Sequence, residues 1–203
     1  MSQIALPLSA AMNGPNRIVV GSANSHIFEA CSVAANWPFR TAVLSGSPRS
    51  GKSLIAQWFA AEGTGEAIDD AERLDETELF HRWNRAQESG TPLLLINGAS
   101  GPWTIRLPDL ASRLSAALQL LIGEPDDAMI AELIALHAEA RGLPLGDDAT
   151  AYLVPRCERS HIGIERLVAA IDRLSLERKV APTQGIWRDA LDELIGPREP
   201  RLL

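Results

Sequence analysis

The chain has 203 residues, is 46% hydrophobic and carries a formal net charge of -7, enough apolar sequence for one domain with a real core, or one domain and a small appendage. The acidic balance excludes a broad, non-specific grip on DNA, which needs clustered Lys and Arg. The two distant cysteines, Cys31 and Cys157, exclude a disulfide framework, and no apolar run approaches the ~20 residues needed to cross a bilayer.

The chain opens with "SQIALPLS". Gln3, Ile4, Leu6, Pro7 and Leu8 make a short, nearly uncharged apolar peptide inside a turn-rich arm, residues 1–15. It lacks the basic n-region of a signal peptide, so the expected location is the cytoplasm, with no membrane contact. On these residues alone the peptide either projects to dock on a partner or tucks against its own domain.

Residues 17–20, "RIVV", are expected to form a short strand, and 22–37 a helix closed by Trp37-Pro38. "RTAVLSG" (40–46) is a buried-type strand that runs into "GSPRSGKS" and then into the helix "KSLIAQWFAAEG". "EAIDD" (66–70) is a short strand, 75–90 a helix, "PLLLIN" (92–97) an apolar strand, "DLASRLSAAL" a helix and "LQLLIG" (118–123) a further strand. From about residue 124 onward only helices follow, over 125–141, 147–158, 160–178 and 183–195. Alternating strands and helices followed by helices alone predict an α/β subdomain, 16–123, and an all-helical C-terminal subdomain, 124–203. The four strands are expected to form a parallel sheet flanked by helices.

Gly46, Ser47, Pro48, Arg49, Ser50, Gly51, Lys52 and Ser53 fit G-x-x-x-x-G-K-[ST] completely, with a strand before and a helix after. Small residues let backbone N–H groups fold around phosphate oxygens, and the helix N-terminus adds a favourable dipole. Lys52 would reach the β- and γ-phosphates of ADP or ATP, and Ser53 would ligate Mg²⁺. Asp69, at the end of the next strand, would hold the same Mg²⁺, and Asp70 would orient an attacking water. The bland reading of the two aspartates is a solvated acidic turn. Only 15 residues separate Ser53 from Asp69, room for one helix and one short strand. His26, His81, His137 and His161 lack metal spacing and are expected at the surface or at helix ends.

Several segments then agree. "NRIVVGSANSHIFEA", "GSPRSGKS", "IDDAERLDETELFHRWNRAQ", "LPDLASRL" and "GIERLVAAIDRL" follow the order seen in replication-initiator ATPases of the DnaA type. Over residues 16–195 the chain resembles that AAA+ family, and the resemblance implies a P-loop AAA+ fold with a helical lid. The family's sheet has five strands, so about four here is a reduction. The chain stops at Leu203, after the lid, so the family's helix-turn-helix domain, and any specific DNA contact with it, is expected to be absent. This truncation with "QIALPL" at the start resembles the Hda-type regulators, which bind the DNA polymerase III β sliding clamp and promote hydrolysis of ATP on the DnaA initiator.

The resemblance implies further roles. Gln3 would hydrogen-bond in the clamp groove, with Ile4, Leu6, Pro7 and Leu8 as apolar contacts. Asn97, ending "LLLIN", stands at the polar sensor position. Arg113 matches an arginine that acts in trans on a neighbour's nucleotide; its spacing from Asp109 alone allows a plain intrahelical pair worth only ~0.2–0.5 kcal/mol. Where the family carries a nucleotide-sensing arginine in "GIERLVAAIDRL", this chain has Glu165. The alternatives are a P-loop small-molecule kinase and a nucleotide-independent clamp adaptor, with self-association left open.

Overall fold

The computed structural model describes residues 17–99 and 101–196. Residues 3–8 of the expected clamp peptide lie outside that range. Four strands, β1 (Thr41–Gly46), β2 (Glu66–Ile68), β3 (Leu93–Ile96) and β4 (Leu118–Ile122), form one parallel sheet in the order β2-β3-β1-β4. The expected count of four holds, and no strand lies between Lys52 and Glu66. Central β1 and β3 are buried on both faces, which is why they read as continuous apolar runs.

Side chains alternate between the faces. Ala42, Leu44, Leu94 and Ile96 meet α1 (Ser25–Ser32) and α2 (Lys52–Ala61) through Phe28, Ile55 and Phe59. Val43, Leu93 and Leu95 meet α3 (Glu76–Ser89) and α4 (Pro108–Ala116) through Leu79, Trp83, Leu110 and Leu114. Right-handed crossovers require this division: the chain steps outward from β1 to β2 by one face, and back through β3 to β4 by the other.

The helical subdomain comprises α5 (Asp127–Arg141), α6 (Asp147–Leu153), α7 (His161–Arg178) and α8 (Gln184–Ile195), with its own core around Ile130, Ile134, Leu153, Val168, Ile171 and Trp187. Local chemistry sets the ends. Asp126 and Ser160 accept from the backbone N–H groups of Met129 (2.9 Å) and Gly163 (3.0 Å), and Gly142 closes α5 at φ +64°. No helix among the described residues is long and apolar enough to cross a membrane.

Three expectations need correction. Residues 17–20 are not a strand. The Val19 carbonyl accepts from the Asn24 side chain at 2.9 Å instead of from a sheet neighbour, while Ile18 enters the sheet core and Val19 the helical core, so the segment straddles the two subdomains. The helix expected over 22–37 ends at Ser32, with a short 3-10 turn beyond it, and the Trp37 indole donates to the Ala30 carbonyl at 2.8 Å to cap the end. The helix expected over 147–158 stops at Leu153, because Pro155 disfavours further helix before it.

Candidate nucleotide site

The phosphate loop forms where β1 meets α2. Arg49 and Gly51 take φ +65° and +88°, turning the backbone back on itself. A Cβ at Gly46 would lie 2.9 Å from the Ile122 Cβ, so only glycine lets the loop leave the sheet this close to β4. No side chain caps the start of α2, so its first N–H groups remain available to an anion. The Ser50 hydroxyl is buried without a hydrogen-bond partner among the described residues.

Lys52, the first residue of α2, is buried, and its ammonium donates to the carbonyls of Gly46 (2.8 Å) and Ser47 (3.1 Å). Burial holds its pKa below the ordinary lysine value, while Asp69, Glu72 and Asp70 act in the opposite direction. The structure therefore brings both predicted acids to the predicted lysine. Asp69 is exposed, and Asp70 sits at φ +47° in an ion pair with Arg73 at 3.4 Å. Glu72, a residue sequence reasoning missed, accepts from the Gly98 N–H at 2.8 Å and ties the end of β2 to the end of β3. A Cβ at Gly98 would come within 2.1 Å of an Asp70 carboxylate oxygen, so glycine there gives the acid its place.

Between the loop and the helical subdomain lies a cavity of 520 Å³. Arg49, Lys52, Asp69, Asp70, His161 and Glu165 form its polar wall, and Ile18, Val19, Met129 and Leu133 an apolar one. A lining that combines charged and apolar groups fits a nucleoside phosphate. The Ser53 hydroxyl and the two aspartates, oxygen donors on the same cavity, also fit an accompanying Mg²⁺. No cluster of His, Cys, Asp or Glu among the described residues would hold a metal by itself, so the ion would depend on the phosphates.

Glu165 on α7 reaches the loop. The Arg49 Nε donates to its carboxylate at 2.6 Å, and a second guanidinium nitrogen donates to the other oxygen. This fork holds the Glu165 carboxyl below the usual carboxylate range. Where the resemblance leads one to expect an arginine facing ligand phosphate, a carboxylate instead binds the loop's own arginine.

His161 and His137 were expected at the surface or at helix ends, and the structure places both on the cavity. His161 is only 4% exposed, and neither ring nitrogen has a partner among the described residues. Burial first, then neighbouring His137 and Lys52, hold its pKa below the ordinary 6.5; burial does the same for His137. No spacing rule marks either residue, because the helices meet only in the folded chain.

These shifts predict a pH dependence. The unfolded chain takes up protons near 6.5 that the buried rings resist, so stability is full above 6.5 and declines as pH falls below it. Glu165 contributes with its own loss below its ordinary 4.5, outside this window. Thermal unfolding at pH 7.5 and 5.5 should show a Tm lower by roughly a few degrees at 5.5, and His161→Phe should flatten the difference.

Asn97 is not among the residues that line the cavity of the phosphate loop. It is buried, donates to the Gly101 carbonyl at 3.1 Å and accepts from the Ala99 N–H at 3.1 Å. Its side chain thus organises its own loop and lines a neighbouring groove, while Gly98 lines the phosphate cavity. Arg113 does not pair with Asp109. Its guanidinium lies 4.4 Å from the Phe80 ring centroid and 4.3 Å from that of Trp83, and it donates to the Asn84 side chain. The two rings of α3 hold the guanidinium by cation–π contact, and among the described residues one of its five N–H donors is engaged.

No protein-family model matches the chain. Domain III of the Thermotoga maritima replication initiation protein DnaA superposes with a TM-score of 0.69 at 16% identity, covering 91% of this chain and 97% of that one. The fold is the AAA+ fold of DnaA. The Thermotoga maritima RuvB Holliday junction branch migration motor follows at TM-score 0.60 and 18% identity, over 86% of this chain and 70% of its own. DnaA from Aquifex aeolicus, in a structure bound to AMPPCP, gives 0.59 at 17%, over 82% and 67%. In sequence, an uncharacterized protein of Haemophilus influenzae is 31% identical over 117 residues, which span 54% of this chain and about half (51%) of that protein.

Proposed function

We propose that this chain is a nucleotide-binding AAA+ regulator of replication initiation, of the Hda type, that acts in the cytoplasm. It holds ADP or ATP with Mg²⁺ in the cavity between loop and lid, docks on the sliding clamp through Gln3, Ile4, Leu6, Pro7 and Leu8, and offers Arg113 to ATP on the DnaA initiator. One observation carries the nucleotide part of this reading: Lys52, the uncapped start of α2 and the two aspartates line one cavity together with residues of the helical subdomain. The DnaA likeness in fold and the AMPPCP bound by the Aquifex aeolicus protein support the choice of ligand class.

The chain's own residues bind and orient. Lys52 neutralises phosphate charge, the start of α2 supplies N–H donors, and Ser53 and Asp69 would hold the metal. Arg113 serves a different nucleotide, on the partner. Its stacked, hydrogen-bonded guanidinium is preorganised, so little is lost in ordering it on the incoming phosphate.

A nucleotide-independent adaptor is the second reading, and one feature favours it. The Arg49–Glu165 fork joins loop to lid, and the Lys52 ammonium donates to the loop's own carbonyls. Titration calorimetry separates the two. The regulator reading expects Mg-ADP or Mg-ATP to bind in the micromolar range, about -8 kcal/mol. Absence of heat at millimolar nucleotide supports the adaptor.

A further inference from the structure

His161 is an expensive residue in its place. It is the first residue of α7, after the capping Ser160, and is almost wholly buried, yet neither ring nitrogen has a partner among the described residues. A neutral imidazole carries one donor and one acceptor, and a buried site of this size accepts phenylalanine or methionine without leaving either group unmet. His161 also lines the cavity of the phosphate loop.

Its position along that cavity is fixed by its neighbours. Glu165 lies four residues on, on the same face of α7, and is bound to Arg49 of the loop. Lys52 from α2 and His137 from α5 both act on the ring electrostatically. Ile18, Val19, Met129 and Leu133 of the same cavity suit a base, whereas His161 lies close enough to Lys52 to feel its charge.

We propose, resting on the nucleotide-binding reading above, that His161 is a specificity-determining contact of this site, whose ring N–H donates to the phosphate chain of a bound nucleoside di- or triphosphate. The lid thereby recognises phosphate through a histidine, at a helix where Glu165 itself is committed to the loop.

The test uses the full chain and two probes, Mg-ADP and adenosine, by titration calorimetry on wild type, His161→Phe and His161→Gln. His161→Phe should weaken Mg-ADP about tenfold and leave adenosine unchanged, and His161→Gln should recover most of the loss. On the wild type, without any substitution, the His161 ring ¹⁵N resonances should move on adding Mg-ADP and stay with adenosine. Wild type that binds Mg-ADP while His161→Phe binds it equally well overturns the inference alone. So does a loss that is equal for adenosine, or a ring resonance that ignores Mg-ADP. Wild type that binds no Mg-ADP overturns the nucleotide-binding reading and the inference with it.

Discussion

Lys52→Ala is expected to weaken Mg-ADP and Mg-ATP binding by about a hundredfold or more. The ammonium belongs to a buried lysine that lines the cavity, and three carboxylates already act on it. Charge-assisted hydrogen bonds contribute about 1.5–3 kcal/mol each, and losing two reaches that factor. The fold should tolerate the change, because the carbonyls of Gly46 and Ser47 that the lysine now caps lie in an open loop beside the cavity. Calorimetry measures the affinity and thermal unfolding the stability. A Kd within threefold of wild type means that the loop does not bind phosphate.

Arg113→Ala is expected to remove about 10³ or more of the stimulated hydrolysis of initiator-bound ATP, the scale on which an arginine in trans acts in phosphoryl transfer. Its own fold and nucleotide affinity should change little, since Arg113 does not line the cavity and its contacts lie on α3. Arg113→Lys should restore little. A lysine cannot stack as a plane between Phe80 and Trp83, nor present a fork to phosphate. Single-turnover phosphate release from ATP-loaded initiator reads the effect.

What could be read from sequence was local. The phosphate loop was legible because its glycines, lysine and serine act within eight consecutive residues, flanked by a strand and a helix that announce themselves by apolar runs. The four strands were legible for the same reason, and the short gap before Asp69 gave the reduced sheet. The failures are contacts between distant segments. Arg49 and Glu165 are 116 residues apart and meet only when the lid packs over the loop. His161 and His137 reach the cavity through the packing of α5 on α7, for which neither residue carries a marker. Arg113 lies four residues from Asp109, yet its guanidinium meets Phe80, Trp83 and Asn84 on another helix. Residues 17–20 have strand composition but meet no free sheet edge, and the Asn24 side chain takes the carbonyl a strand partner would have used.

The most direct measurement follows ATP bound to the DnaA initiator in the presence of sliding clamp loaded on DNA, with this chain added as wild type, as Arg113→Ala or without residues 1–8. The account predicts rapid phosphate release with wild type and release near the unstimulated rate with either variant. No acceleration by wild type, or equal acceleration by Arg113→Ala, contradicts it.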